Sequence, residues 1–404
     1  MTTTDTVDLF DPGVYAQGMP HDVFATLRRE SPILRHPEPA GPGYWALMKY
    51  EDIVAVSSDN TLFSSWAGGT NIPDMPEDAM AVIRTILINM DPPQHTKYRR
   101  LVSTGFTPKM IAALEPHVRE ITKKIIDRVA KRGTCDFVTE IAAELPLAVI
   151  AEMLGVPEAD HAKMFDWSNR LIGFDDPEYH TSPEDGRIAA MEMFFYANQL
   201  AVERKASPKN DLVSILMAAD VDGESLSEAD FDGFFILLTV AGNETTRNLI
   251  SGAMLALIEH PDQRQRLIDD PSLMPAAVEE FLRWVSPLIY FRRTATQDTV
   301  IGGQQIKAGD KVAMYYPSGN RDEAVFESGG TFDVGRAVNP HMAFGGTGPH
   351  FCLGASLARL EIRIMFEELL TRLPDIELAG PVARLRSNFI NGVKHMPVRF
   401  TPEA

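Results

Sequence analysis

Cys352 is the side chain whose type and setting point most directly to chemistry. It follows a glycine-rich loop and precedes a helix-forming run, in the stretch HMAFGGTGPHFCLGASLARLEIR. Unpaired N–H groups and a partial positive charge at a helix start lower the pKa of a nearby thiol, so this position favours a thiolate. The glycines that allow backbone to approach a flat ligand closely are Gly345, Gly346, Gly348 and Gly354. The pattern indicates a soft metal ligand.

Two other interpretations of this loop have to be weighed. A lone cysteine is more often a small buried hydrophobe than a ligand, and taken alone that interpretation is the stronger one. Cys135, in RGTCDF, receives it as well. A zinc site built from His341, His350 and Cys352 would need a fourth ligand, and no CxxC or HxxxH pair accompanies them. The spacing therefore argues against zinc.

A second group of candidates lies in the longest predicted helix, from about Ser227 to His260. This helix is apolar on nearly every face until Gly242, which predicts a central position in the fold. Glu244 and Thr245 interrupt the apolar pattern. In isolation they would be a solvated acid and an ordinary helix threonine, but inside an apolar helix they indicate function.

Several motifs together resemble one family. The cysteine loop resembles the haem-binding signature of the cytochromes P-450, in which a cysteine thiolate is the proximal ligand of haem iron. AGNETT, from Ala241 to Thr246, resembles the central-helix motif of that family, and EFLR supplies its paired Glu280 and Arg283. The segments DPPQHTKYRR, RTAT, NRD and FDVGRAVNPH resemble further family segments in the same order. The matches extend over roughly residues 90 to 365.

The resemblance implies a fold, a cofactor and its ligands. It predicts a mainly α, single triangular haem domain over residues 1–404, with a long central helix and a small antiparallel β region. The cofactor would be haem b, with the Cys352 thiolate as the axial ligand and metal-binding residue. The groups assigned to the haem propionates are His95, Arg99, Arg293 and His350. Arg292 is an alternative to Arg293. Phe344 and Gly354 complete the loop, although Phe344 lies eight residues before Cys352, where most members have seven.

The resemblance also gives roles to the central helix. A thiolate ligand makes iron electron-rich and favours O–O cleavage over simple oxygen carriage. Gly242 would remove a side chain where dioxygen passes, while Glu244 and Thr245 would relay protons, directly or through water. The implied enzyme is an external monooxygenase, which inserts one oxygen atom of O2 into a C–H bond and releases the other as water.

Two further charged groups have predicted roles. Glu280 and Arg283 are one helical turn apart and would form an ion pair that Arg336 completes, with a structural role near the haem. Arg359 and Arg363 are four residues apart on one helical face. They have two interpretations of equal weight, as ordinary surface charge or as a dock for an acidic electron-donor protein.

The sequence says least about the identity of the substrate. The apolar candidates for contact with it are Leu87, Ile88, Met90, Val240, Ala241, Leu288, Ile289, Phe389 and Val393. Core packing explains most of them equally well. The cysteine loop and the tail LRSNFINGVKHMPVRF are similar to those of bacterial members that oxidise steroids, terpenoids and methyl-branched or fatty-acid-like lipids, often at a terminal carbon.

No flavin- or nicotinamide-binding fingerprint is present, so electrons are expected from a separate ferredoxin and its reductase. Two rival functions stay open. A peroxygenase of the same fold would use hydrogen peroxide, although such members commonly lack the acid and alcohol retained here. A haem-thiolate sensor or carrier would keep the cysteine without needing proton delivery.

Composition and local patterns set the remaining expectations. The 404 residues include two cysteines, which rules out a disulfide framework, and a formal charge of -18, which argues against a nucleic-acid or anionic-membrane partner. The apolar run from Phe234 is too short to span a membrane, and the N-terminus resembles no signal peptide, so a cytoplasmic location is expected. Amphipathic helices should dominate the first three-fifths of the chain, after a short strand pair, ILRHP and GYWALMKY.

Overall fold

The computed structural model describes residues 7–179, 182, 184–221 and 224–404. In chain order the helices are α1 (Pro12–Ala16), α2 (His21–Glu30), α3 (Tyr50–Ser58), α4 (Glu77–Ile83), α5 (Gln94–Ser103), α6 (Pro108–Ala113), α7 (Glu115–Ala130), α8 (Glu144–Leu154), α9 (His161–Ile172), α10 (Asp185–Ala206), α11 (Leu212–Met217), α12 (Glu228–Glu259), α13 (Pro261–Asp269), α14 (Met274–Val285), α15 (Tyr316–Gly319) and α16 (Ala355–Arg372). The strands are β1 (Ile33–His36), β2 (Tyr44–Leu47), β3 (Phe63–Ser64), β4 (Thr134–Asp136), β5 (Asp220–Val221), β6 (Glu224–Ser225), β7 (Tyr290–Ala295), β8 (Thr299–Ile301), β9 (Gln304–Ile306), β10 (Lys311–Tyr315), β11 (Glu377–Leu378), β12 (Ala383–Arg384), β13 (Val393–His395) and β14 (Pro397–Arg399).

The prediction of a long central helix is confirmed by α12. It begins after Ser227, whose hydroxyl accepts a hydrogen bond from the backbone N–H of Asp230 at 3.1 Å, because a helix start needs acceptors for its free N–H groups. It ends at Glu259, since Pro261 follows two residues later. Helices α8, α9, α10 and α14 all pack against it, and no described helix is long and apolar enough to cross a membrane.

The strands form a small region beside the helices. The largest sheet has the order β1-β2-β10-β7-β3, and the predicted pair β1 and β2 is antiparallel. One pairing differs from the predicted antiparallel arrangement, since β10 lies parallel to β2. A parallel partner needs a long crossover. The chain between β2 and β10 supplies it, because it contains most of the helices.

The predicted ion pair in α14 is confirmed and joins that helix to the segment before the cysteine loop. The Glu280 carboxylate accepts two hydrogen bonds from Arg283, each of 2.7 Å, and both side chains are fully buried. It also accepts from Arg336 at 3.1 Å, from Asn339 at 3.0 Å and from the backbone N–H of Asp333 at 2.9 Å. Five donors on one carboxylate fix the course of residues 333–339, which lead into the loop.

Candidate active site

The cysteine loop is held in a backbone conformation that only glycine adopts easily. Gly345, Gly346 and Gly348 have φ values of 88°, 71° and 95°. A Cβ atom on Gly348 would lie 2.5 Å from the carbonyl oxygen of Ser57, so the loop packs directly on the end of α3. At its far end the backbone N–H of Cys352 donates to the carbonyl of Phe344 at 2.9 Å. This hydrogen bond closes the loop at the residue that carries the sulfur atom.

The extra residue of the loop is accommodated by α3. The Ser57 hydroxyl bonds to the carbonyl oxygens of Gly345 and Thr347 at 2.8 and 2.9 Å. The hydroxyl groups of Ser58 and Thr347 are also hydrogen-bonded to each other. The longer loop therefore gains anchoring bonds and still retains the closing bond at Cys352.

The pKa of Cys352 differs from the sequence prediction. Burial raises the pKa of this thiol, and this effect exceeds the lowering by the N–H of Gly354 and by the charges of Arg99 and Arg359. Helix α16 begins only at Ala355, so the helix end acts weakly at the sulfur. The residue nevertheless has exposed surface, although many protein atoms surround the thiol. A coordinated metal ion would deprotonate such a thiol outright.

Two histidines predicted to bind the propionates lie together beside this loop. The rings of His95 and His350 are 4.2 Å apart, and both residues are buried. Burial, reinforced by Arg99, lowers the pKa of His95 to about 4; burial, reinforced by Arg293, lowers that of His350 to about 2. Both rings are thus neutral N–H donors at pH 7, unless a bound anion raises their pKa. His95 Nδ1 has no hydrogen-bond partner among the described residues.

The structure separates the two adjacent arginines that the sequence could not. Arg292 donates to the Asp74 carboxylate at 2.8 Å and to the carbonyl of Ile72 at 3.0 Å. Arg293 is 2 % exposed and donates to the Arg292 carbonyl at 2.9 Å, with no carboxylate in ion-pair range in the described part of the chain. Burial lowers its pKa. Arg293 is therefore the arginine left with an uncompensated charge.

The other arginines near the loop already have partners. Arg99 donates to the carbonyl of Phe351 within the loop. Arg359 forms two hydrogen bonds with Glu279, of 2.7 and 2.8 Å, and its guanidinium lies 4.6 Å from the centre of the Phe344 ring. The remaining predicted docking residue, Arg363, is paired with Glu115 and Glu367. These pairs support the surface-charge interpretation of Arg359 and Arg363, because neither presents a free charge.

On α12, Glu244 and Thr245 occupy different environments. Glu244 is 1 % exposed and is ion-paired with Arg247, one turn later, which in turn donates to Asn169 at 2.8 Å. Burial raises the pKa of Glu244, and Arg247 opposes this. Its Oε1 atom has no partner among the described residues. The Thr245 hydroxyl donates to the carbonyl of Ala241 at 2.8 Å. Ala241 is exposed in the middle of this central helix, so this face borders an internal space.

Arg247 and Asn169 were missed in the sequence. The signal for Arg247 was its position three residues after an acid in an apolar helix, which places the two side chains on one face. Nothing in the sequence marks Asn169, which comes from α9.

Gly242 has a packing role that the sequence did not indicate. A Cβ atom at this position would lie 2.9 Å from Cγ1 of Ile150, on α8. The missing side chain therefore allows α8 and α12 to pack closely, and the role of Gly242 in dioxygen passage stays a prediction.

Gly242→Val is expected to destabilise the protein by about 1–3 kcal/mol, because a well-packed contact cannot take extra methyl groups. Combining it with Ile150→Ala should cost at least about 1 kcal/mol less than the sum of the two single changes, since the second change makes room for the first. Urea unfolding of the four proteins measures this coupling. Simple additivity would mean that the two side chains do not compete for one space.

Four of the nine predicted substrate contacts are buried core residues. Leu87 and Met90 belong to the main core, and Ile289 belongs to a second core with Tyr290 and Tyr315. The half-buried members of the set are Ile88, Val240, Leu288 and Phe389, of which Phe389 packs against the second core. Val393 lies on β13 and lines a cavity that Cys352 does not line. Only Val240 and Ala241 lie within one helical turn or so of Thr245, and the substrate role of the whole set remains a prediction.

The chemistry of the site fits a flat, anionic group with a soft metal. Space is open where a Cβ atom of residue 354 would lie, and Cys352 is exposed. Arg293 is a buried cation with no carboxylate in ion-pair range among the described residues. The zinc alternative has no such support. His341 bonds to Glu279 at 2.9 Å, whereas His350 packs on His95. In the described part of the chain no group of three or more His, Cys, Asp or Glu residues could hold a metal ion.

Comparison with known proteins agrees with this geometry. The family model for cytochrome P450 matches residues 150–374. The chain is 46% identical over 402 residues to a steroid C26-monooxygenase of Rhodococcus jostii, which covers 97% of this chain and 84% of the relative. It is 44% identical over 388 residues to a methyl-branched lipid omega-hydroxylase of Mycobacterium tuberculosis, covering 94% and 90%.

Solved structures give the same result for the fold. A Mycobacterium marinum cytochrome P450 in complex with pseudoionone has a TM-score of 0.92 and 39% identity, with 98% of this chain and 99% of that chain covered. A Bacillus megaterium cytochrome P450 in complex with testosterone has a TM-score of 0.85 and 32% identity, covering 95% and 98%. The family and the fold imply a haem-thiolate cofactor.

Proposed function

Because this chain belongs to the cytochrome P450 family and is a monooxygenase of hydrophobic substrates, we propose that it hydroxylates the end of an aliphatic chain on a steroid or a methyl-branched lipid. The proposal rests on one observation. Two relatives that match nearly the whole chain are named for oxidation at a steroid C26 and at the omega carbon of a lipid. Both positions lie at the end of an aliphatic chain, although the two molecules differ in the rest of their structure.

The residues of the cysteine loop and its neighbours would hold haem b. Cys352 would ligate the iron, and Phe344 and Gly354 would line the loop on that side. Arg293 and Arg99 would balance the negative charge of the propionates. His95 and His350, which are neutral donors at pH 7, would become cations beside these anions. When bound, the haem supplies the activation of dioxygen and accepts the electrons.

Glu244 and Thr245 would deliver protons. The raised pKa of Glu244 keeps a proton available nearer to neutral pH than an ordinary glutamate does. Arg247 holds the carboxylate through one oxygen, and Oε1 has no hydrogen-bond partner in the described part of the chain. The Thr245 hydroxyl, on the next residue, can receive a proton and pass it on while it rotates away from the Ala241 carbonyl.

Thr245→Ala and Glu244→Gln are each expected to lower the product formed per electron pair by at least about tenfold, with the missing electrons recovered as hydrogen peroxide, because proton delivery is impaired. Product, NADPH and peroxide are measured in one assay. Thr246→Ala is the matched control, since this buried neighbour should keep coupling. Equal coupling in all variants would remove the two residues from the mechanism. Loss of turnover with retained haem in Thr245→Ala would also argue against a sensor or carrier.

The substrate proposal is tested by spectral titration and product analysis. A sterol with an intact aliphatic side chain and a methyl-branched fatty alcohol should each shift the haem spectrum and give an alcohol at the chain end. The controls are the same sterol nucleus without its side chain and a molecule whose chain end is blocked by a bulky group. Oxidation on the sterol ring, or equal turnover of the blocked molecule, would contradict the proposal.

We propose that electrons come from a ferredoxin and its reductase in the cytoplasm, since the chain has no flavin- or nicotinamide-binding fingerprint. Turnover should therefore need both proteins and NADPH. A rate with hydrogen peroxide alone that exceeded the donor-supported rate would instead establish the peroxygenase alternative.

A further inference from the structure

A second cavity lies apart from the cysteine loop. It has a volume of about 270 Å³ and lies between the start of α2, the second half of α12, the end of α14 and strands β12 and β13. We call it the arginine cleft. Its polar lining comes from His21, Asn248, Glu259, Arg321, Arg384 and Asn391. Cys352, Glu244 and Thr245 do not line it, so it is separate from the proposed haem site.

Arg321 is a buried cation without a counter-ion. It is 9 % exposed, and its guanidinium carbon lies 3.6 Å from the centre of the Trp284 ring. In the described ranges no carboxylate lies within ion-pair distance of it, and its Nε has no hydrogen-bond partner. The nearby carboxylate of Glu280 is occupied by Arg283 and Arg336. Burial lowers the pKa of Arg321 to about 9, which leaves it charged at pH 7.

The other polar groups of the arginine cleft are mainly donors. Nδ2 of Asn248 is buried and has no acceptor among the described residues. The Arg384 side chain likewise has no ion pair there. Burial lowers the pKa of His21, and the charges of Arg321 and Arg384 lie near enough to that ring to add to this effect. Glu259 is the acidic member of the lining; it is exposed and beyond ion-pair distance of both arginines. Donors that lack acceptors, together with two unpaired cations, are the complement of a carboxylate.

The remaining wall is apolar and limits the size of a ligand. Met19, Leu255, Val285 and Val393 contribute it, next to the Trp284 ring. A volume of about 270 Å³ is below the range of most drug-sized sites, so a ligand must be small. An inorganic anion would leave this wall without a partner.

We propose that the arginine cleft binds a small organic carboxylate, with its carboxylate group on Arg321 and Arg384 and its short apolar part on the Leu255 and Val393 wall. The site is separate from the proposed haem site, Val393 is the one predicted substrate contact that lines it, and the proposal does not depend on the proposed reaction. An occupant would contact α12 at Asn248, one turn after Glu244, so it would bind the same helix that carries the proton-delivery residues.

The test is calorimetric titration of the holoenzyme with sodium hexanoate in saturating imidazole, which occupies the haem iron and blocks the haem chamber. Hexanoate should bind with one site per chain and leave the Soret band unchanged. Arg384→Gln should weaken binding by at least about tenfold, because a charge-assisted hydrogen-bond pair is lost. Arg386→Gln is the matched control, since Arg386 is two residues away and does not line the cleft. It should bind as the wild type does.

Two further ligands test the contributions of the charge and of the apolar chain separately. Hexan-1-ol has the same chain without the charge and should not bind, and inorganic phosphate has charge without the chain and should bind at least about tenfold more weakly. Phosphate binding equal to that of hexanoate would overturn the apolar part of the proposal. Absence of hexanoate binding, or equal binding by Arg384→Gln, would overturn the site itself.

Discussion

Replacing Cys352 with serine is expected to abolish monooxygenase turnover and the strongly red-shifted Soret band of the reduced carbon monoxide complex. A serine oxygen is not an electron-donating thiolate, and O–O cleavage depends on that donation. The backbone bond from residue 352 to the Phe344 carbonyl does not involve the side chain, so the loop should keep its shape. The measurement is a carbon monoxide difference spectrum of the dithionite-reduced protein, with donor-supported turnover assayed on the same sample.

Cys135→Ser gives a matched control for this substitution. Cys135 is the other cysteine, it lies on β4, and burial raises its pKa to about 12, so it is an unreactive thiol. This variant should keep the red-shifted band and the turnover. A Cys352→Ser protein with an unchanged band would show that another group ligates the iron.

Glu280→Gln is expected to lower the free energy of unfolding by about 3–5 kcal/mol, because it leaves the buried Arg283 and the half-buried Arg336 with an uncharged partner. Arg283 and Arg336 would each keep their bonds to backbone carbonyl oxygens but would lose their counter-ion. The segment that leads into the cysteine loop should loosen at the same time. Urea unfolding measures the first effect, and the rate of haem loss to a scavenger protein measures the second.

Glu279→Gln, one residue earlier on α14, tests whether the burial of Glu280 is the reason for the large expected loss of stability. Glu279 is partly exposed, and its bonds with Arg359 and His341 hold its pKa at about 2. Because that pKa is lower than in the unfolded chain, the stabilisation is present at neutral pH and is lost as the pH falls from about 4.5 towards 2. The expected cost at pH 7 is about 1 kcal/mol, since solvent screens the pair. Equal costs for the two variants would contradict the argument from burial.

The parts of the fold that follow from local chemistry could be predicted. The long apolar run predicted the course of α12, and the spacing of Glu280 and Arg283 predicted their ion pair. The resemblance of the cysteine loop then supplied the fold and the cofactor class. The predicted third partner, Arg336, was found in contact with Glu280, although 56 residues separate them.

The parts that depend on distant neighbours could not be predicted. Arg292 and Arg293 are equivalent in sequence, and successive strand residues point to opposite faces. Only Asp74, which is 218 residues away from Arg292, decides which of them is paired. The partner of Gly242 is likewise on another helix, at Ile150. For Cys352 the local argument gave the wrong direction of the pKa shift, because burial outweighs the helix end.

The bonds between α3 and the cysteine loop also set an order of events during synthesis. Ser57 is 288 and 290 residues away from the two loop carbonyls that it binds, and Arg28 binds Ser318 across 290 residues. A chain emerging from the ribosome begins with its N-terminal part. Helix α3 is therefore synthesised before most of the other helices and before the loop that it contacts. The long search for such distant contacts slows their formation. Cofactor capture is therefore expected to be a late step, because a chain released before Cys352 would lack the proposed axial ligand.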